Sequence, residues 1–276
     1  HSSQRSMNEN EQKVKVVMFS GGRGTGAITD ALLRYPDIEL TLLVNTYDDG
    51  LSTGLLRRFI PGMLGPSDVR KNISRFLHHK KDRASQALLF LVEYRFPDPF
   101  ETAAALRLLR AFSDLRNTEY ALHEILQARD NLALNQIKTV AAYLEAFLRY
   151  YEAHPENHSW FPFGDVSLGN LLFAGCYLES GQDFNQAVTN FSRLAEIGDR
   201  VLNLTNGENR VLVAIKENGL YLHDEASVVG PQDTSRIEEI FLLPRYLNQG
   251  ELPESMTKSE KIAYLRGVEQ HPSLRD

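Results

Sequence analysis

The stretch VKVVMFSGGRGTG, residues 14 to 26, decides the predicted fold, because a β-branched apolar run leads directly into a glycine-rich turn. The run from Val14 to Phe19 predicts a buried β-strand. In such a turn, backbone N–H groups can approach a phosphate without interference from a Cβ, and a helix starting near Thr25 would direct its positive end to the same place. The glycines of the turn are Gly21, Gly22, Gly24 and Gly26.

The spacing of this turn fits one nucleotide-binding pattern and not another. Gly22, Gly24 and Ala27 match the G-x-G-x-x-G/A dinucleotide fingerprint. No Gly-Lys-Ser/Thr follows, so the Walker-type loop of nucleoside triphosphatases is not predicted. Short glycine patterns are common, and a strand-to-helix turn without a ligand is the alternative.

A second strand and polar loop repeat this arrangement. The apolar run from Ile38 to Val44 predicts a strand, and the polar segment NTYDDGLSTG, residues 45 to 54, follows it directly. Loops at the carboxyl ends of neighbouring parallel strands lie at the edge where open α/β sheets bind ligands. Asp48 and Asp49 would repel a phosphate unless one meets Mg²⁺, a sugar hydroxyl or a donor on an acceptor substrate. A surface Asp-Asp-Gly turn is the alternative.

A third segment, PGMLGPSDVRKNISRFL, residues 61 to 77, places polar residues ahead of a helical pattern. Ser67 or Asp68 could simply cap that helix. The guanidinium of Arg70, beside a glycine-rich loop, suits bidentate contact with a phosphate.

Together these loops resemble the CofD-like family, which includes 2-phospho-L-lactate transferases and the nucleotide-sugar-binding gluconeogenesis factors. Members carry a GGGTG-type first loop, a V-x-x-x-DDGGSSG-type second, a GDxRN-type third and a VGNL-x-x-A fourth. The similar segments here are residues 21–26, 44–54, 67–72 and 168–174. Four motifs in the same order are much more specific than any one.

The resemblance implies an α/β fold with a Rossmann-like, doubly wound, mostly parallel sheet, a helical insertion and a β-hairpin arm. It implies a nucleoside diphosphate or nucleotide sugar as ligand, and catalysis by Asp48, Asp49, Asp68 and Arg70, with the three carboxylates as Mg²⁺ ligands. Asn170 could instead be only a helix N-cap. The implied ligand-binding residues are Gly21, Gly22, Arg23, Gly24, Thr25, Gly26, Asn45, Ser52, Thr53, Asn72, Gly169 and Asn170.

Two activities follow from the resemblance. One is a transferase that moves a phosphoester group from a nucleoside diphosphate-linked donor to an acceptor hydroxyl. The other is a non-catalytic regulator that binds a nucleotide sugar. The base, the acceptor and the oligomeric state, with a homodimer as one expectation, are left open by the sequence.

Several positions depart from the family pattern, and they leave the fine ligand specificity open. After the IEEIFLLP-like strand, residues 237 to 244, family members continue into a GPG-type loop, and no counterpart is found before Asp276. The departures inside the motifs are Arg23, Leu51, Ser67 and the inserted Lys71.

The bulk properties suggest a single α/β nucleotide-binding domain over residues 14–276, preceded by a tag remnant and disordered start in residues 1–13. At 276 residues and 42% hydrophobic composition, the chain can bury a full core. Apolar spacing predicts a helical insertion at about 98–154. A β-hairpin arm is predicted at about 200–230, where Asn218-Gly219 is a two-residue turn signal.

Charge and cysteine content exclude several classes of protein. The net charge of −6 argues against nucleic-acid binding. No apolar run approaches the roughly 18 residues that span a bilayer, and no signal-peptide core is present, so a cytoplasmic protein is expected. The single Cys176 excludes an internal disulfide and, lying in LLFAGCYL, is predicted to be buried and unreactive.

Overall fold

The structure is a computed structural model of the 276-residue chain. It describes residues 13–21, 24–114, 123–224, 227–228, 230–231 and 233–270. The predictions for the tag remnant and disordered start, apart from Lys13, lie outside these residues, as do those for Gly22 and Arg23.

Three parallel strands form the first sheet: β1 (Val14–Ser20), β2 (Ile38–Val44) and β3 (Val201–Asn203). Their order is β1-β2-β3. The apolar runs that predicted the first two strands therefore form them, side by side. The carboxyl ends of β1 and β2 lie level, because Ser20 pairs with Val44.

The second sheet is antiparallel and contains β4 (Val211–Lys216), β5 (Tyr221–Leu222) and β6 (Ile237–Leu243), in the order β5-β4-β6. The hairpin signal at Asn218-Gly219 is confirmed, because it joins β4 to β5 and Gly219 has a φ of +83°, which favours glycine. The hairpin thus begins at Val211, and β3 belongs to the parallel sheet.

Helices account for most of the remaining described chain, including the stretch between 98 and 154. Two helix starts are fixed by side chains: the carboxylate of Asp82 accepts from the N–H of Ser85 at 2.8 Å, and that of Asp183 from Gln186 at 2.9 Å. The helices are α1 (Gly26–Leu32), α2 (Leu51–Phe59), α3 (Ser67–His79), α4 (Arg83–Glu93), α5 (Thr102–Ser113), α6 (His123–Asn131), α7 (Leu134–Ala153), α8 (Leu168–Glu179), α9 (Phe184–Leu194) and α10 (Lys258–Gln270), with a 3₁₀ turn at Pro155–Asn157.

Two hydrophobic cores hold these elements together. The larger one packs one face of β2, carrying Leu40, Leu42 and Val44, against helices that include α3, α8 and α9. The smaller one packs the second sheet against Leu265 and Val268 of α10. Each fully buried aliphatic side chain contributes about 1.5–3 kcal/mol relative to an exposed one.

The prediction that β1 is a buried strand is wrong for one of its faces, which is open to solvent. Val17 and Phe19 are 63% and 68% exposed, although strands of parallel sheets are normally covered on both faces. Alternation along the strand places Val16 and Met18 against the larger core instead.

The α/β fold class predicted from the sequence is confirmed by the parallel sheet and its helices. Among the helices described here, none combines the length and the apolar character needed to cross a bilayer.

Candidate functional site

A pocket of about 580 Å³ opens where β1 and β2 end. One wall comes from the loops that follow these strands and from α3, and the other comes from the second sheet, the loop after β3 and α10. The first wall contains Gly21, Asn45, Tyr47, Asp48 and Asp68, and the second contains Leu204, Thr205, Leu212, Ile240, Leu242 and Glu269. The pocket is therefore polar on one side and largely apolar on the other.

Two carboxylates reach this pocket, one from the loop after β2 and one from the start of α3. Asp48 is oriented by the N–H of Gly50, which donates to its Oδ1 at 3.0 Å. Asp68 lies in the first turn of α3 and accepts from Lys71 at 3.2 Å. Burial raises the pKa of Asp68 above its ordinary value, the nearby charge of Asp48 adds to this, and Lys71 opposes it.

Asp49, although adjacent to Asp48, points elsewhere. The residue is 4% exposed, and its carboxylate accepts a hydrogen bond of 2.5 Å from the hydroxyl of Tyr246 and lies 3.7 Å from the guanidinium of Arg57. Burial raises the pKa of Asp49, and the contacts with Tyr246 and Arg57 oppose the rise. A Cβ at Gly54 would lie 2.9 Å from the carbonyl oxygen of Asp49, so this glycine gives the turn its room.

Asn72 organises the turn after β1. Its side chain is fully buried, accepts from the hydroxyl of Ser20 at 2.8 Å and donates to the carbonyl oxygens of Gly21 at 3.3 Å and Asp68 at 2.8 Å. The Ser20 hydroxyl also lies 2.7 Å from that of Thr25. One buried amide thus ties the glycine turn to the helix that carries Asp68.

The outer face of the glycine turn is open. Among the described residues that are not adjacent in the chain, a Cβ built on Gly21 or on Gly24 would meet no atom within 4 Å, whereas one on Gly26 would lie 3.0 Å from the guanidinium of Arg75. Among the described residues, packing therefore does not require a glycine at position 21 or 24.

Arg70 and Asn170 face the protein interior and do not line the pocket. Arg70 is 6% exposed; its Nε donates to Asn170 at 2.9 Å and its Nη1 to the carbonyl of Val92 at 3.3 Å. Burial lowers the pKa of Arg70 to about 10. Gly169 permits this packing, since a Cβ there would lie 2.1 Å from the Val92 oxygen.

Asn170 links this arginine to the second loop. It donates to Ser67 at 3.0 Å, and Ser67 in turn hydrogen-bonds to Thr53. Neither Ser67 nor Asn170 caps a helix, because Pro66 precedes α3 and Ser167 precedes α8. Arg70, Asn170 and Ser67 therefore support the site from the protein interior.

Two further residues predicted to bind the ligand, Asn45 and Ser52, lie on either side of Asp48 in the chain. Asn45 accepts from the N–H of Tyr47 at 3.2 Å. Ser52 is half-buried in the first turn of α2.

Arg57 and Tyr246 are contributors that the sequence did not reveal. Tyr246 lies 197 residues from the carboxylate it contacts. Arg57 stands beside Arg58 in the sequence, yet only Arg57 is buried. A charged residue buried on an otherwise amphipathic helix leaves no periodic signal.

Comparison with known proteins gives consistent results at the level of the family. The family described as 2-phospho-L-lactate transferase CofD matches residues 16–259. A protein named gluconeogenesis factor, from Bacillus subtilis, is 24% identical over 248 residues, covering 89% of this chain and 54% of that protein. Two crystal structures of a UPF0052 family protein from Bacillus halodurans align with a TM-score of 0.52 and 22% identity, and each covers 87% of this chain.

These relatives are longer than the region they share with this chain, which spans about half of their length. At 22% identity the crystal structures show a shared fold. The family match covers most of the sequence, and it confirms the resemblance seen in the four loops. The chain belongs to the CofD family.

Proposed function

We propose that the pocket binds the diphosphate of a nucleoside diphosphate or nucleotide sugar, and that the protein transfers a phosphoester group to an acceptor hydroxyl. The observation that carries this proposal is the meeting of Asp48, from the loop after β2, and Asp68, from the start of α3, in a single pocket. The open glycine turn beside them supports it, because a diphosphate needs close approach to backbone amides.

The donor atoms in the pocket suit Mg²⁺. Within the described residues no three carboxylate, histidine or cysteine side chains form a metal cage. Mg²⁺ commonly takes one or two carboxylates and completes its shell with water and substrate phosphates. Asp48, held by Gly50, would be the main protein ligand. When bound, the ion would supply Lewis-acid stabilisation of charge on the phosphate oxygens.

Asp68 suits a different role in the same pocket. In the proposed reaction the acceptor oxygen forms a bond to the donor phosphorus, the bond to the departing nucleoside monophosphate breaks, and the acceptor proton must be taken up. Burial raises the pKa of Asp68, which makes its carboxylate a better proton acceptor than an ordinary aspartate. Asp68 would therefore orient the hydroxyl and accept its proton.

A second candidate is a regulator that binds a nucleotide sugar without turnover. The similarity to the protein named gluconeogenesis factor favours it. The two candidates share the ligand and differ in product formation.

Calorimetric titration with ADP, GDP, UDP and CDP, with and without Mg²⁺, tests the shared ligand. We expect Gly24→Val to weaken binding roughly tenfold or more, because the new side chain would occupy ligand space, while its Cβ would meet no described, non-adjacent residue within 4 Å. Gly267→Val is the matched control, since Gly267 is equally open but lies in α10. Unchanged affinity in the Gly24 variant would remove the turn from the site.

Turnover then separates enzyme from regulator. Mass spectrometry of small molecules released from denatured protein identifies a donor, and release of nucleoside monophosphate measures the reaction. We expect Asp68→Asn to lower the rate by a factor of roughly 100 while affinity falls much less. Asp48→Asn should instead remove the Mg²⁺ dependence of binding. Tight binding without turnover in wild-type protein would favour the regulator.

A further inference from the structure

We infer that Tyr246 is a positioning residue for the pocket, through which the second sheet holds the loop that carries Asp48. The inference rests on the proposed function, because the position of Asp48 matters only if this carboxylate acts on a ligand. It concerns the cluster formed by Arg57, Asp49 and Tyr246.

Tyr246 joins the two walls of the pocket. It follows β6 in the chain, and its hydroxyl donates to Asp49, the residue directly after Asp48. The facing wall contains Ile240 and Leu242 of the same strand. A hydrogen bond from the segment after β6 therefore restrains the backbone next to the pocket carboxylate.

Arg57 also holds the loop that carries Asp48, through hydrogen bonds to the loop's backbone. Its guanidinium is 2% exposed and donates, from Nη1, to the carbonyl oxygens of Tyr47 and Asp48, each at 3.2 Å. Its Nη2 donates to the side chain of Asn209 at 2.9 Å and to the carbonyl oxygen of Arg210, just before β4. The buried guanidinium of Arg57 thus binds both the loop that carries Asp48 and the segment just before β4.

The tyrosine ring completes the cluster. The guanidinium carbons of Arg57 and Arg58 lie 5.8 and 5.1 Å from the centroid of Tyr246, within the range of cation–π attraction. Tyr246 therefore contacts the carboxylate through its hydroxyl and the cations through its ring, which fixes its orientation relative to the loop.

Asp49 is an acidic side chain that is buried outside the pocket, where Tyr246 and Arg57 hold it. Its Oδ2 has no hydrogen-bond partner among the described residues, and the Nε of Arg57 has none either. Incompletely satisfied buried charges are costly, and proteins tolerate them chiefly where function requires the geometry. Small displacements of a group that binds phosphate or metal have large effects on catalysis, so restraint of Asp48 is the benefit we assign to the cluster.

Hydrogen exchange tests the restraint without any ligand. In Tyr246→Phe, which removes only the hydroxyl, amides in residues 45–50 should exchange at least about tenfold faster than in wild type, as expected for losing a hydrogen bond to a charged group. Tyr264→Phe is the matched control. It removes a 2.6 Å bond from Tyr264 of α10 to Glu251, which Arg245 still holds through two hydrogen bonds, and it does not alter the Tyr246 hydroxyl.

Nucleotide titration then tests the effect on the pocket. Tyr246→Phe should weaken Mg²⁺-dependent binding of the tightest of ADP, GDP, UDP and CDP by about fivefold or more. Tyr264→Phe should leave it unchanged. In the Asp49→Ala background, Tyr246→Phe should add little, because both changes remove the same contact.

The possible outcomes separate the two proposals. Unchanged exchange in residues 45–50 would overturn the positioning role, as would faster exchange with unchanged affinity. If wild-type protein binds none of the four nucleotides, the proposed function fails, while the exchange result still decides whether Tyr246 orders the loop.

Discussion

The hydroxyl of Ser20 donates a hydrogen bond of 2.8 Å to the side-chain oxygen of Asn72, across 52 residues of sequence. This contact joins the end of β1 to α3, and Asn72 continues it by donating to the backbone oxygen of Asp68. The glycine turn and the proposed catalytic carboxylate therefore share one buried amide.

Replacing Asn72 with leucine should destabilise the protein by about 2–3 kcal/mol, because the partners of the amide would be left buried without a hydrogen bond. Chemical denaturation measures this. Asn190→Leu is the control, since Asn190 lies on α9 and donates to Ser180 near the surface. A loss for Asn72→Leu no larger than that of the control would show that the amide does not organise the turn.

The raised pKa of Asp68 predicts a trade-off between stability and function. A carboxyl whose pKa is raised by folding binds its proton more tightly in the folded chain, so its stabilising effect is present below the ordinary value of 3.8 and is lost as pH rises through the folded pKa. At neutral pH without Mg²⁺, Asp68→Asn should therefore raise the Tm while impairing turnover.

Asp82 serves as a control, because folding shifts its pKa in the opposite direction to that of Asp68. Hydrogen bonds from Ser85 lower the pKa of this N-cap carboxylate, so it stabilises the fold above its ordinary pKa and loses that effect as pH falls. Asp82→Asn should lower the Tm at neutral pH. Thermal melts in EDTA from the acidic range to neutral pH measure both variants, and a lower Tm for Asp68→Asn at neutral pH would contradict the prediction.

Local patterns predicted the strands but not the orientation of the site residues. The β-branched runs at Val14–Ser20 and Ile38–Val44 form strands because alternation and apolar content act within a few residues. Arg70 has the chemistry of a phosphate ligand, yet it turns inward because Gly169 lets α8 approach it closely. That approach depends on tertiary packing, which sequence periodicity does not encode.

The same limit applies to the carboxylates. Asp48 and Asp49 are adjacent and chemically identical in the sequence, yet Asp48 lines the pocket while Asp49 is held by the hydroxyl of Tyr246, which follows β6 of the second sheet. Family resemblance names both residues but does not assign their orientations.

Cys176 should be unreactive in the folded protein. Its thiol is fully buried in α8, donates to the carbonyl oxygen of Ala187 at 3.4 Å, and has its pKa raised to about 11 by burial. A disulfide reagent at mildly alkaline pH should label no thiol in native protein and one thiol after unfolding in guanidinium chloride. Rapid labelling of native protein would contradict the burial of this residue.

The open face of β1 predicts self-association that can be removed without loss of stability. Val17 and Phe19 project from an edge strand into solvent, where apolar side chains favour pairing between molecules. Val17→Thr combined with Phe19→Thr should lower light scattering at high protein concentration and change the unfolding free energy by less than about 1 kcal/mol. Leu42→Thr is the control, since Leu42 lies on the covered face of β2 and should cost about 2–3 kcal/mol. If the double variant at Val17 and Phe19 unfolds as readily as Leu42→Thr, this face of the sheet is covered in solution.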